Sequence, residues 1–256
     1  MRTNQVKEKL RRGEPVIGLF CNFSAPGEIE VLGWLGYDFV IIDAEHSTVD
    51  YQTMENMIRA AEVSGAAPFA RIGLGLSQNI LRFMDAGVIG AQIPLVNTGE
   101  QAQAVVDAVK YPPVGKRGLA GVRAGTFGIL ESMGDYVVSA NKETLVTVQV
   151  ETTQALDNLD DIVAVDGVDV VFLGPSDLSS SMGYAGQPTH PEVIKAITEA
   201  GQRIVAAGKY AGTIARDATA YAQWRQAGFQ YLCTGVSALL IQSTRAYLEG
   251  CRQTDG

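Results

Sequence analysis

The segment Leu145-Val146-Thr147-Val148-Gln149-Val150-Glu151 is a run of apolar and β-branched residues whose strongly polar side chains fall at its end. Such a run suits a strand of a parallel sheet covered on both faces, where no alternation with polar residues is needed. Residues two apart on a strand share a face, so Leu145, Thr147, Gln149 and Glu151 project to the same side. A carboxylate on the inward face of a buried strand is costly unless a cation or a base meets it. Further along, Val168 to Leu173 repeats the apolar run and leads into Gly174-Pro175-Ser176-Asp177, which brings a second acid to the end of the next strand.

Outward from these two segments the same unit recurs. Short β-branched runs occupy Val16 to Cys21, Phe39 to Asp43, Pro68 to Ile72, Ala91 to Val96, Leu145 to Val150, Val168 to Leu173, Tyr210 to Ile214 and Tyr231 to Thr234. Stretches of helical period lie between them, among them Asp50 to Ser64, Ser77 to Ala86, Gly99 to Val109, Pro191 to Ala207 and Ala218 to Ala227. Eight strand-helix units in 256 residues predict one α/β domain over residues 1–256, a (β/α)8 TIM barrel. The spacing breaks between the fourth and fifth runs. There Tyr111 to Gly128, with Pro112, Pro113, Lys116, Arg117 and Arg123, reads as an ordered insertion over a site or a connection packed at a subunit boundary.

Composition narrows the function. A formal charge of −8 argues against capture of nucleic acid or an anionic membrane surface. No apolar run reaches the roughly 18 residues of a membrane span, and the charged N-terminal stretch Arg2 to Arg12 is unlike a signal-peptide core, so a cytoplasmic protein is expected. Cys21, Cys233 and Cys251 have no metal-ligand spacing and suit a reducing compartment.

In a closed barrel, chemistry belongs at the C-terminal ends of the strands. Asp43-Ala44-Glu45-His46-Ser47 follows the second run, Arg71 ends the third, Gln149 and Glu151 end the fifth, and Ser176 and Asp177 follow the sixth. Glu151 and Asp177 from adjacent strands would repel unless a cation neutralised them; hard oxygen donors without nearby Cys or additional His favour Mg²⁺ or Mn²⁺. The plainer alternative is that each pairs with a base, or that Asp177 caps a helix. His46 is placed to act as acid or base, or is an ordinary loop histidine, whereas His190 precedes Pro191 at a helix start. Arg71 needs an anion, supplied by substrate, by Asp43 or by Glu45. Amides of the Gly174 to Asp177 turn suit a small anion.

Together Gly18-Leu19-Phe20, Asp43-Ala44-Glu45-His46, Arg71, Met84-Asp85-Ala86-Gly87, Tyr111 to Gly118, Val148-Gln149-Val150-Glu151 and Gly174-Pro175-Ser176-Asp177-Leu178-Ser179-Ser180-Ser181-Met182-Gly183 resemble the HpcH/HpaI group of metal-dependent 2-oxo acid aldolases, in the phosphoenolpyruvate/pyruvate barrel superfamily. The resemblance covers nearly the whole chain. It implies reversible cleavage of a 4-hydroxy-2-oxo acid to pyruvate and an aldehyde. It also implies a divalent ion on Glu151 and Asp177 (Mg²⁺ or Mn²⁺ foremost, then Co²⁺, Ni²⁺ or Zn²⁺), Arg71 on the oxo oxygen, Gln149 beside the substrate and a His46–Asp85 dyad. The Gly174 and Ser176 amides would hold the pyruvate carboxylate, with Asp43 and Thr213 as further substrate-binding candidates. A homohexamer with an exchanged C-terminal helix, spanning Ser237 to Cys251, is implied as well.

No lysine is expected inside the barrel mouth, which disfavours a Schiff-base aldolase. An oxaloacetate decarboxylase, an acyl-CoA carbon–carbon lyase and a non-catalytic 2-oxo acid-binding barrel are the competing readings. Ser237, where close relatives are expected to carry Asp, and Arg123 and Arg216 make the aldehyde half of the substrate less defined than the pyruvate half.

Overall fold

Eight strands close on themselves in sequence order, every neighbour parallel: β1 (Val16–Cys21), β2 (Phe39–Asp43), β3 (Ala67–Arg71), β4 (Gly90–Ile93), β5 (Leu145–Val150), β6 (Val170–Leu173), β7 (Tyr210–Ile214) and β8 (Tyr231–Gly235). The computed structural model describes residues 1–73 and 77–254. Helices alternate with the strands, so the expected single (β/α)8 barrel is the observed fold. Among the described residues no helix is long and apolar enough to cross a membrane.

Strand ends deviate where local chemistry intervenes. The fourth run was expected to reach Val96, but β4 stops at Ile93. Pro94 has no N–H for the ladder, and Leu95 adopts φ 54°, a left-handed conformation that a non-glycine residue rarely takes. The sixth run begins at Val170 and not Val168, because the Asp169 carboxylate takes the Val146 amide and the Lys7 ammonium at 2.9 and 2.8 Å.

Two apolar layers result. Val40, Ile42, Val148, Val171 and Leu173 face the helices, while Phe39, Ile41, Phe69, Phe172 and Tyr231 fill the barrel. Tyr231 stacks on Phe39 at 4.5 Å between centroids and meets Phe172 edge-on at 6.2 Å. Room for these rings comes from glycines: a Cβ at Gly18 would strike Phe39, one at Gly90 would strike Phe69, and one at Gly212 would lie 2.9 Å from Tyr231. Large residues on some strands are thus matched by absent side chains on others, which lets the interior reach crystal-like density.

The insertion is not a cover over the barrel mouth. Lys116 pairs with Asp107, Arg117 with Asp85 at 2.7 Å and across the Tyr111 ring, and Arg123 with Glu62 and the Ala86 carbonyl. Its bases therefore bind it to the outer helices. The C-terminal helix Val236–Thr254 meets the core through Val236 and Leu239 but exposes Leu240, Ile241, Tyr247 and Leu248.

Lys110 lies at the N-terminal end of the barrel, 3% exposed, with Nζ donating to the Asn141 and Thr144 carbonyls. Burial, reinforced by Lys7, lowers its pKa to about 7. An unfolded lysine stays protonated to about pH 10.4, so between about pH 7 and 10 the unfolded chain binds more protons and folding stability rises with pH. Denaturant titrations are expected to show this rise, on the order of a few kcal/mol, and Lys110→Met is expected to flatten it. A wild-type profile already flat over that interval would contradict the assignment.

Candidate active site

At the C-terminal mouth a cavity of about 410 Å³ is lined by Asp43, His46, Arg71, Gln149, Glu151 and Asp177, together with Phe20, Asn22, Gly235 and Ser237. Strand order explains the convergence. Asp43, Arg71 and Glu151 stand at or just past the ends of β2, β3 and β5, and Asp177 follows β6 in the first turn of Pro175–Ser181. Its N-cap is Gly174, so Asp177 is not the cap that its position in the sequence allowed.

Arg71 is held by carboxylates. Nε and Nη2 donate to the two Asp43 oxygens at 2.9 and 2.6 Å, Nη1 is 3.3 Å from Glu45 Oε2, and the guanidinium lies 4.9 Å above the Phe20 ring. Guanidinium has five N–H donors, so donors remain for a substrate oxygen. Burial alone would raise the Asp43 carboxyl, but Arg71 outweighs it and holds Asp43 below its usual range. The amides of Glu45 and His46 also donate to Asp43 Oδ1, which folds the loop around this acid and presents His46 at the cavity edge with its side chain 65% exposed.

Glu151 is 2% exposed. Its Oε1 accepts from the Leu95 amide at 2.8 Å and its Oε2 from Gln149 Nε2 at 2.7 Å. Burial raises its pKa above the usual carboxylate range despite these donors, with Asp177 and Glu45 pushing the same way. Among the described residues the mouth thus carries Asp43, Glu45, Glu151 and Asp177 against one permanent cation, Arg71, which Asp43 and Glu45 already contact. That surplus of hard oxygen donors fits a divalent cation. Gly174 supports the fit, since a Cβ there would collide with the Glu151 carboxylate and close the approach. Among the described residues no group of three or more His, Cys, Asp or Glu is arranged to hold a metal ion by itself. Glu151 and Asp177 would fill two positions and leave the rest to water and substrate oxygens, as Mg²⁺ tolerates.

Three expectations need correction. Asp85 does not join His46 within the chain: it sits on the outer helix Ser77–Ala86, bound to Arg117, because barrel helices pack outside the sheet and cannot deliver such a side chain to the mouth. The Gly174 amide donates to the Val150 carbonyl at 3.3 Å and is already used, whereas the Ser176 and Asp177 amides occupy a first helical turn, which lacks intrahelical acceptors. Thr213 donates its hydroxyl to the Leu173 carbonyl at 2.9 Å and borders a neighbouring cavity with Arg216. Arg123, tied to Glu62, is likewise remote from the site.

Sequence reading missed Asn22, whose Oδ1 is buried without a hydrogen-bond partner at the mouth. It follows β1, so listing polar residues just past every strand would have found it. The Leu95 amide carried no comparable signal.

A parallel barrel with acids, an arginine and a histidine gathered at its C-terminal mouth defines an enzyme of the (β/α)8 class. A sequence model of the family described as HpcH/HpaI aldolase/citrate lyase matches residues 16–243. The chain is 38% identical over 241 residues to a hydroxypyruvate/pyruvate aldolase of Sagittula stellata, covering 94% of each chain. It is also 38% identical to a 2-keto-3-deoxy-L-rhamnonate aldolase of Klebsiella pneumoniae, covering 93% of this chain and 89% of that one. A crystal structure of a family protein from Burkholderia cenocepacia superposes with TM-score 0.91 at 33% identity, covering 98% of this chain and 100% of that one. The protein belongs to the HpcH/HpaI aldolase/citrate lyase family.

Proposed function

We propose that the protein is a class II pyruvate aldolase, a carbon–carbon lyase that reversibly cleaves a 4-hydroxy-2-oxo acid to pyruvate and an aldehyde. The observation that carries this is the buried Glu151 carboxylate, in salt-bridge contact with no base among the described residues and lining the same cavity as Asp177 and Arg71. A divalent cation held by Glu151 and Asp177, Mg²⁺ or Mn²⁺ foremost, would supply Lewis-acid polarisation of the 2-oxo group, worth several kcal/mol.

The chain's own residues account for the rest. In cleavage the 4-hydroxyl loses a proton, the C3–C4 bond breaks, and its electron pair becomes the pyruvate enolate. Arg71 lines the cavity, and its N–H groups not taken by Asp43 stabilise the negative oxygen as it forms. His46, at the open edge, accepts the hydroxyl proton and returns one to C3. Gln149 and Ser176 line the same cavity, which supports a place for Gln149 beside the 2-oxo acid and for the Ser176 amide on its carboxylate. Asn22 and Ser237 also line this cavity and would meet the aldehyde half of the substrate.

A Schiff-base route has no support from position. Lys110 has the lowered pKa of a nucleophilic lysine but lies at the opposite end of the barrel, and Lys209 is bound to the Val165 and Val168 carbonyls. The exposed apolar residues of Val236–Thr254 fit the oligomer that the resemblance implies, a hexamer in which this helix packs on a neighbouring copy.

A lactate-dehydrogenase-coupled assay over a panel of 4-hydroxy-2-oxo acids tests the reading. Pyruvate release is expected, abolished by EDTA and restored by Mg²⁺ or Mn²⁺, with no inactivation by borohydride in the presence of pyruvate. Turnover that survives chelation, or pyruvate-dependent trapping by borohydride, would exclude the class II mechanism.

A further inference from the structure

Below Glu151 the barrel interior contains a continuous hydrogen-bond chain, and the mechanism above uses only its upper members, Glu151 and Gln149. Gln149 Nε2 donates to Glu151 Oε2 at 2.7 Å, Gln92 Nε2 donates to Gln149 Oε1 at 2.7 Å, and the Tyr231 hydroxyl donates to Gln92 Oε1 at 3.1 Å. Gln92, Gln149 and Tyr231 are at most 1% exposed, so bulk water is not at hand to replace any of these partners. The polarity of the chain is fixed from the Glu151 end. An ionised carboxylate only accepts, so the Gln149 NH₂ must face it. That turns the Gln149 oxygen towards Gln92, whose NH₂ must meet it, and leaves the Gln92 oxygen in need of a donor. The Tyr231 hydroxyl is that donor, and complete burial keeps it protonated.

We infer that Tyr231 and Gln92 are positioning residues for the cation site: through Gln149 they hold an N–H against Glu151 and so fix how that carboxylate faces the cavity. This rests on the reading of Glu151 as a metal ligand. Each Glu151 oxygen accepts one N–H, from Gln149 or from Leu95, which sets the carboxylate plane while further lone pairs stay available. Without the phenol, either the Gln92 oxygen remains buried without a donor, or both amides turn over and Gln149 presents an oxygen to Glu151. Removing such outer partners typically costs about ten- to a hundredfold in metal affinity.

The test uses Tyr231→Phe, which keeps the ring against Phe39 and Phe172, and Gln92→Leu, which cuts the chain in the middle. Mn²⁺ titration followed by electron paramagnetic resonance is expected to show each variant binding about tenfold or more weakly than wild type, with thermal midpoints close to wild type. In the Gln92→Leu background, Tyr231→Phe is expected to add less than about twofold, because the connection is already broken. A metal-free readout is the Gln149 side-chain NH₂ in protein labelled with ¹⁵N-glutamine, expected to exchange slowly in wild type and fast in both variants. Wild-type Mn²⁺ affinity in folded Tyr231→Phe, or equal costs in both backgrounds, would overturn the inference. Should Tyr231→Phe not fold, unchanged affinity in Gln92→Leu would do the same. If wild type binds no Mn²⁺, the metal reading fails, and the NH₂ exchange still decides whether the chain orders Glu151.

Discussion

Glu151→Gln is expected to lower kcat/KM for pyruvate release by about a thousandfold or more, the consequence of losing several kcal/mol of transition-state stabilisation. The substitution keeps the shape of the side chain and removes its charge. In wild type this carboxylate is buried beside Asp177 and Glu45 and its pKa is raised, so a bound cation relieves both the burial cost and the repulsion. Mn²⁺ at about a hundred times its Kd should therefore stabilise wild type by roughly 2.7 kcal/mol through linkage, and this stabilisation should vanish in Glu151→Gln. Thermal melts with and without Mn²⁺ give that second readout independently of turnover. A variant that retains both the stabilisation and the activity would remove Glu151 from the site.

Arg71→Met is expected to reduce both activity and stability. Loss of a donor at the developing oxyanion costs about 10²- to 10³-fold in kcat. Breaking a buried ion pair on one side also destabilises by about 3–5 kcal/mol, because Asp43, its side chain 4% exposed, is left charged without its partner. The pH dependence should change sign. In wild type Arg71 holds Asp43 below its usual range, so this pair's contribution is present above about pH 4, where an unfolded Asp ionises, and is lost as pH falls through the lower folded value. Without Arg71, burial dominates and the folded Asp43 pKa rises above the unfolded one, so stability should decline as pH climbs between the two values. Denaturant titrations of both proteins from pH 3 to 8 would reveal the reversal, and parallel profiles would refute it.

Legibility differed with the range of the interactions involved. Helices Ser77–Ala86 and Gly99–Val109 were readable to the residue, because their apolar period is local and, for the second, the Thr98 cap agrees with it. The inward alignment of Gln149 and Glu151 followed from the two-residue period of a strand. β4 was misjudged at its end because the turn at Leu95 serves a partner just past another strand, Glu151, that no local pattern announces. Asp85 shows a related effect: its neighbours in sequence look like a site motif, but within the chain its position on an outer helix gives it to Arg117.

The sequence by itself determined the barrel, the strands whose ends bear chemistry and the acids and base gathered there, since periodicity and the ends of strands are properties of short segments. Only the tertiary structure decided which of those groups are already bound to each other. It paired Arg71 with Asp43, removed Thr213 and the Gly174 amide by giving them to neighbouring carbonyls, and joined Tyr231 to Glu151 through two glutamines. The physical reason is that a buried donor or acceptor must find its complement within about 3 Å, and distances of that order across a closed barrel are set by packing from every strand at once.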